Sequence, residues 1–340
     1  ELDAAGADMF GVSNVEEAVQ LRLCGITKPI LILGYTPPES AKELIEHAFT
    51  QTVFSPEYAA KLSDAAQAAG GRIKIHIKID TGMSRIGFLF NGKAGGECVD
   101  AVVAAAALPG LETEGVFTHF AVSDEPENPF TGVKFERFMR AVGLIEGRGV
   151  KFEIKHCCNS AGLLNDPEMQ LDMVRPGIIL YGLTPAAGMP LPIKLEPAME
   201  LKTVLFQIKT LDPGTAVSYG MKYVTPGTRV VGTIPIGYAD GFARCLSNSA
   251  DVLINGKRAR IIGRVCMDQC LADITDIDGV CEGSTVTVIG RDGNDAVTME
   301  ETAGLMGTIN YETVCLIGKR VPRVFFKNGE KIGMQNYILP

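Results

Sequence analysis

Arg175 is the residue whose surroundings demand chemistry. It stands at the middle of Leu171-Asp-Met-Val-Arg-Pro-Gly-Ile-Ile-Leu-Tyr-Gly182, an otherwise largely apolar run of strand length. A guanidinium keeps its proton inside proteins, and burying it without an anion or an acceptor is costly. The Pro176-Gly177 pair ends regular strand pairing, and a glycine there lets a ligand approach the Gly177 and Ile178 amides. Two readings are open. One is a phosphate seat beside a charged contact to a ring; the other is an arginine paired with a buried carboxylate from elsewhere in the chain.

Other polar residues have both a chemical and a plain reading. Asn159-Ser160 after a strand suits a helix cap, and a helix N-terminus also attracts phosphate. Ile73-Lys-Ile-His-Ile-Lys-Ile-Asp80 alternates with period two, so Lys74, His76, Lys78 and Asp80 share one face and four isoleucines the other. A solvated antiparallel strand would look the same, whereas in a barrel the polar set would line the lumen. Taken singly, His119 reads as a core histidine and Tyr219 as a half-buried tyrosine at a strand end.

These residues are carried by short β-rich runs alternating with helical stretches from residue 9 to about 190. The strands expected are Met9–Val12, Pro29–Leu33, Gln51–Phe54, Ile73–Asp80, Glu114–Thr118, Phe152–His156 and Met173–Tyr181. The helices expected between them are Val15–Cys24, Ser40–Ala48, Pro56–Ala69, Ala94–Ala107 and Val133–Gly147. That alternation predicts an α/β domain with a parallel sheet, a (β/α)8 TIM-type barrel over residues 1–194. An open doubly wound sheet is the rival, but no Gly-x-Gly-x-x-Gly follows an early strand. Only seven strands are found, and the opening Glu1-Leu-Asp-Ala-Ala-Gly-Ala-Asp reads as the tail of a helix, so the first barrel strand is expected upstream of residue 1.

Residues 195–340 read as an all-β domain of short runs: Leu201–Lys209, Arg229–Ile236, Asp251–Ile254, Arg260–Val265 and Thr285–Ile289. Asn255-Gly256 predicts a hairpin turn, and only Met299–Met306 looks helical.

The 340 residues are 46% hydrophobic and 21% charged, a globular composition without the unbroken apolar run of a membrane helix. A net charge of −8 without basic runs argues against a nucleic-acid partner and for a small-molecule protein. Nine cysteines without a Cys-x-x-Cys pair indicate neither a disulfide framework nor a metal cage, and fit a reducing cytoplasm.

Eight segments in order closely resemble alanine racemase, a pyridoxal 5'-phosphate enzyme with a barrel followed by a β domain. They are Ile79-Asp-Thr-Gly-Met-Ser-Arg-Ile-Gly87, Phe117-Thr-His-Phe-Ala121, His156-Cys-Cys-Asn-Ser-Ala161, Met173-Val-Arg-Pro-Gly177, Val217-Ser-Tyr-Gly220, Ile236-Gly-Tyr-Ala-Asp-Gly241, Gly263-Arg-Val-Cys-Met-Asp-Gln269 and Ile309-Asn-Tyr-Glu312.

The resemblance implies that Arg175 bonds the pyridine nitrogen of the cofactor. Ser160 and the Gly177 and Ile178 amides would hold its phosphate with the Tyr311 hydroxyl, and Asn159 would line the seat. Arg85 would contact the phenolic oxygen, oriented by Lys78 as a carbamylated lysine. Tyr219 would be one of two bases, contacted by His119, and Met267 would take the substrate carboxylate on its amide. Tyr238 and Tyr311 would narrow the entrance, with Asp124, His156, Arg244 and Arg264 in a polar ring further out. It also implies a head-to-tail homodimer, in which the β domain of one subunit serves the barrel of the other, making D-alanine for peptidoglycan. Tyr311 points to alanine rather than serine. The family's other base is its Schiff-base lysine, in a motif like Val-Lys-Ala-Asn-Ala-Tyr-Gly-His. That motif does not occur in the 340 residues, and the expectation is that it lies with the first strand upstream.

Overall fold

The computed structural model describes residues 1–91 and 95–339, and the chain divides into two compact units. The first comprises Glu1–Gly177 with Met189–Pro192, the second Ile178–Gly188 with Ile193–Pro340.

In the first unit, strands β1 Phe10–Val12, β2 Ile30–Ile32, β3 Thr50–Val53, β4 Ile73–Asp80, β5 Phe88–Leu89, β6 Leu111–Phe117 and β7 Ile154–His156 alternate with helices. The helices are α1 Val15–Leu23, α2 Ala41–Glu46, α3 Pro56–Ala68, α4 Gly96–Ala106, α5 Phe130–Glu146 and α6 Ser160–Asn165. The strands lie in the order β1-β2-β3-β4-β6-β7 with every pair parallel, and β5 pairs the end of β4. Parallel neighbours in sequence order make the wall of a (β/α) barrel, as expected; a doubly wound sheet would reverse direction partway.

Local signals set the element ends. Asn14 caps α1 by accepting from the Glu17 amide at 2.9 Å, while the Glu17 carboxylate accepts from the amide of Ser13, the residue before the cap, at 2.8 Å. Ser55 caps α3 with Pro56 at its first position. The four isoleucines of β4 are buried in one apolar core with Leu62 and Ala66 of α3, Val99 and Val102 of α4, and Phe138 and Val142 of α5. On the opposite face of β4, His76, Lys78 and Asp80 are buried too, and only Lys74 is exposed.

Three expectations need correction here. Met173–Tyr181 is not a strand: Met173 makes a single parallel bridge to His156, and Ile178–Tyr181 is a 3-10 turn. The Arg175 amide still bonds the Cys158 carbonyl after β7 at 3.0 Å, but Pro176 has no amide hydrogen to carry the pairing further. Residues 178–188, placed by pattern in the first domain, belong to the second unit because Ile178 and Leu183 pack into its core. Helix α5 begins at Phe130 rather than Val133. The start expected for α4 at Ala94 lies outside the described residues.

The second unit is built of short strands, all antiparallel. They are β8 Leu201–Val204, β9 Gln207–Leu211, β10 Ala216–Val217, β11 Tyr223–Val224, β12 Arg229–Ile234, β13 Asp251–Ile254, β14 Lys257–Arg260, β15 Cys270–Asp273, β16 Thr285–Asp292, β17 Asp295–Val297, β18 Arg323–Lys327 and β19 Glu330–Gln335. One sheet runs β15-β12-β9, another β14-β13-β16-β17 with β8 also on β16, and β10-β11 and β18-β19 are ribbons. Asn255 and Gly256 turn the β13-β14 hairpin with φ of 50° and 74°, the left-handed pair that a two-residue turn requires.

Arg260–Val265 is not a strand. Pairing stops near Ile261, and Gly263 at φ 72° turns the chain into a loop. Besides α7 Met299–Met306 there is a second helix, α8 Asn310–Leu316, which the sequence reading did not find. Asn310 anchors its start by donating to the Thr184 carbonyl at 2.8 Å and the Glu300 carboxylate at 2.9 Å. No helix among the described residues is long and apolar enough to cross a membrane.

Candidate active site

The first unit gathers its polar residues at the C-terminal ends of β4, β6 and β7. The Arg175 guanidinium is the hub. Nη2 donates to the Thr118 carbonyl and the Cys157 carbonyl, each at 2.9 Å, and lies 3.4 Å from His119 Nδ1; Nη1 donates to His156 Nδ1. Among the described residues no carboxylate comes within ion-pair distance, which removes the buried-salt-bridge reading. Burial pulls this guanidinium down to about 10, against the opposing influence of Cys157 and Cys158, so it stays charged at neutral pH. Its acceptors are neutral, and its positive charge remains available to a ligand.

The neighbours respond to that charge. Burial first and Arg175 second hold His119 down to about 3, so its imidazole is neutral. With Nδ1 turned to Arg175, the proton sits on Nε2, ready to donate to an oxygen anion. Lys78 is 4% exposed and its Nζ lies 4.5 Å from the centroid of the Phe117 ring. Burial, Arg175 and Arg85 push its amine well below the ordinary lysine range, with Asp80 acting the other way. Asp80 shapes the loop after β4: its Oδ1 accepts the amides of Gly82, Met83 and Ser84 at 2.8, 2.9 and 3.1 Å, and exposed Arg85 follows directly.

Asn159 caps α6, its Oδ1 accepting from Gly162 at 2.9 Å and from the Ser123 hydroxyl at 2.8 Å. Ser160 opens that helix, and its Oγ accepts the Gly177 amide at 2.8 Å. A Cβ at Gly177 would stand 3.8 Å from Ser160 Oγ, an ordinary van der Waals contact. Ile178, the next residue, is buried in the second unit.

His156 departs from expectation. It has no exposed surface, stacks on Phe117 with centroids 4.7 Å apart, and bonds Arg175 on one side and His76 on the other. It is therefore an inner residue of the arginine network and not part of an entrance ring. Asp124 is exposed.

The second unit gathers a separate set on one rim. The Val217–Gly220 turn docks on the Gly263–Met267 loop: Ser218 Oγ donates to the Arg264 carbonyl at 2.7 Å, and a Cβ on Gly220 would meet Arg264 Nη1 at 2.9 Å. Ser218 at φ 62° and Gly220 at φ 71° bracket Tyr219, leaving its ring 71% exposed. The Tyr238 loop docks on the same loop, its amide bonding the Cys266 carbonyl at 3.1 Å and the Ala239 amide the Met267 carbonyl at 3.0 Å. Gly237 makes this approach feasible, because its Cβ would stand 2.3 Å from the Cys266 oxygen. Arg320 clamps both loops, Nε to Asp240 and Nη2 to Asp268, each at 2.6 Å. Tyr238 and Met267 are exposed, as is Arg244; Arg264 is half-buried, and Tyr311 lies on α8.

Sequence reasoning missed His76 and Glu114 as partners of the arginine network, and Arg320 as the clamp. The period-two pattern of β4 put His76 on the face of Lys78, a usable signal; nothing near Arg320 marked it.

The arrangement suits a ligand with an acceptor nitrogen for Arg175, an anionic group for the Ser160-Gly177 corner and a further oxygen near Arg85. Comparison with known proteins gives the family. Residues 1–185 match the family model for the alanine racemase N-terminal domain, and residues 198–325 that for the alanine racemase C-terminal domain. A curated alanine racemase of Desulfovibrio desulfuricans is 47% identical over 96% of this chain and 85% of its own length. One from Clostridium acetobutylicum is 43% identical over 98% of this chain and 86% of its own. Among solved structures, the Bacillus anthracis alanine racemase with bound L-Ala-P superposes with a TM-score of 0.92 at 37% identity, covering 98% of this chain and 85% of that one. A histidine racemase from Leuconostoc mesenteroides superposes at 0.83 and 31% identity, covering 93% and 83%. With both domains matched in order and nearly the whole chain aligned, the chain belongs to the alanine racemase family.

Proposed function

We propose that this protein interconverts L- and D-alanine with pyridoxal 5'-phosphate, working as a head-to-tail homodimer in the cytoplasm and supplying D-alanine for peptidoglycan. The observation that carries the reading is Arg175: a half-buried cation held by neutral acceptors, with no carboxylate partner among the described residues. Pyridoxal phosphate supplies an electron sink that lowers the acidity barrier at the substrate α-carbon. The donor set fits it. Arg175 would meet the ring nitrogen; Arg85 the phenolic oxygen; Ser160, the Gly177 and Ile178 amides and Tyr311 the phosphate, with Asn159 behind them.

An arginine opposite the ring nitrogen does not give up a proton, so the sink stays moderate and side reactions such as transamination are restrained. Tyr219 takes or returns the α-proton on one face. Neutral His119, with its Nε2 proton, stabilises the phenolate that this requires, and Arg175 backs it. The base for the other face is, in the family, the lysine of a motif not found in these 340 residues, which span about 85% of the relatives' length. The Met267 amide would hold the substrate carboxylate. Tyr238 and Tyr311 would narrow the throat to a small side chain, with Asp124, Arg244 and Arg264 further out.

A lysine amine pushed below its ordinary range is the form that adds carbon dioxide. Its nitrogen lone pair bonds the carbon and one proton leaves, giving a carbamate anion able to pair with Arg85. Lys78 is therefore read as carbamylated.

The test is racemisation of alanine by the protein as its source makes it, with serine and histidine as competitors. Intact mass and peptide mapping after borohydride reduction locate the cofactor lysine. Faster turnover of serine or histidine overturns the substrate, and no adduct together with no turnover overturns the function. Reduction trapping the adduct on Lys78 would overturn the carbamate role.

A further inference from the structure

The arginine network does not stop at His156. His156 Nε2 lies 2.8 Å from His76 Nδ1, and His76 Nε2 lies 3.3 Å from Glu114 Oε2. Glu114 also accepts from Lys74 Nζ at 2.7 Å and from the Thr50 hydroxyl at 3.1 Å. Both imidazoles are fully buried, and Lys74 at the far end is half in solvent.

The two ends fix the protons between them. Arg175 can only donate, so His156 Nδ1 must carry a lone pair and its proton must sit on Nε2. That proton points at His76 Nδ1, which must therefore also be bare, leaving the His76 proton on Nε2 aimed at the carboxylate. Every bond runs the same way, from Arg175 through His156 and His76 to Glu114. An imidazolium at either position would set two N–H groups against each other. Burial and Arg175 also push His156 well below the ordinary histidine range, and the His76 bond leads the causes that bring Glu114 down to about 2.

Backbone features serve this chain. The β4-β6 register pairs Ile75 with Thr113 but His76 with Gly115, so Glu114 is the extra residue of a β-bulge, a device that re-aims a side chain. A Cβ on Gly115 would stand 2.7 Å from two atoms of the His76 ring, so only glycine leaves room for the imidazole.

We propose that Glu114 is the remote counterion of Arg175, acting through His76 and His156, and thereby a positioning residue for the chemistry at the guanidinium. The relay gives the half-buried arginine an anion without placing a carboxylate beside it. A direct carboxylate would occupy the donor edge that a ligand needs; a carboxylate two imidazoles away leaves that edge open. The catalytic part of this proposal rests on the reading of Arg175 given under Proposed function. The proton assignment stands apart from it.

The experiment is nitrogen-15 NMR of the full chain with labelled histidine, whose four imidazoles can be assigned by single substitution. In the unsubstituted protein at neutral pH, His76 and His156 both show a protonated Nε2 and a bare Nδ1. Glu114→Gln shifts both and Glu114→Asp, which keeps the anionic acceptor, restores them. Alanine racemisation falls roughly tenfold in kcat for Glu114→Gln with KM little changed, and Glu114→Asp recovers most of it. An imidazolium or a protonated Nδ1 at either residue in the unsubstituted protein overturns the relay, as does a spectrum unmoved by Glu114→Gln. The expected spectra with unchanged kcat overturn the catalytic part. Absence of racemisation by the unsubstituted protein counts against the function, and leaves the spectra to judge the relay.

Discussion

The two units present their functional residues in opposite ways. In the first, Lys78, His76 and His156 are buried on strands of a parallel sheet, with four isoleucines on the other face of β4, and half-buried Arg175 bonds His156. In the second, Tyr219, Tyr238 and Met267 stand out from docked loops with much of their surface in solvent. Burial raises the strength of each electrostatic contact and fixes protonation states, which suits groups that must polarise a ligand. Exposed side chains on braced loops can meet another surface. One unit is therefore tuned by its environment and the other by its shape, and substitutions should separate the two.

The largest effect is expected at Tyr219. Tyr219→Phe should lower kcat by roughly 10²–10⁴-fold, the range for a lost general acid or base. Its exposed ring predicts an unchanged melting temperature, so a calorimetric scan beside the kinetics shows whether the loss is chemical. Arg175→Gln should cost roughly 10²–10³-fold in kcat, as when one preorganised donor is removed. Here stability should fall too, because His156 Nδ1 and two carbonyls lose their donor, and urea unfolding would reveal it. Equal stability of the Arg175 and Tyr219 variants would erase the contrast between buried and exposed machinery.

Gly237→Ala tests shape alone. Its new methyl would collide with the Cys266 and Met267 carbonyls, at a cost of about 1–3 kcal/mol. Urea midpoints should drop, and KM for alanine should rise more than kcat falls if the Met267 amide holds the substrate carboxylate. The smallest effect concerns acid. The folded pKa of Glu114, about 2, lies below its ordinary 4.5, so its contribution is complete above about pH 4.5 and lost as pH falls through about 2. Glu114→Gln should flatten that part of the acid unfolding curve, followed by circular dichroism at constant urea.

Much of this organisation was legible in the residues. Alternation in β4 announced both a buried apolar face and a polar one, and Asn255-Gly256 announced its hairpin. The failures have physical causes. Met173–Tyr181 has strand composition, but Pro176 lacks the amide hydrogen that a ladder needs. Arg260–Val265 is apolar enough for a strand, yet Gly263 turns it so that Arg264 can lie over Gly220. Helix α8 has only seven residues and is held by Asn310 contacts from distant positions, which no local pattern reveals. His156 sits in a strand, and its burial depends on partners from two other strands.

The charge around Arg175 has a consequence for the speed of capture. Arg85 and Lys134 join Arg175 in bearing on the Lys78 position, with Asp80 the carboxylate that opposes them there. On a chain of net charge −8 this is a local positive well in a negative field. A phosphate-bearing ligand diffusing towards it would be steered, and its association rate should fall steeply as added salt shortens the reach of that field to about 10 Å at 0.1 M. A neutral amino acid entering the same cleft would notice little of this, so ionic strength should govern loading far more than turnover.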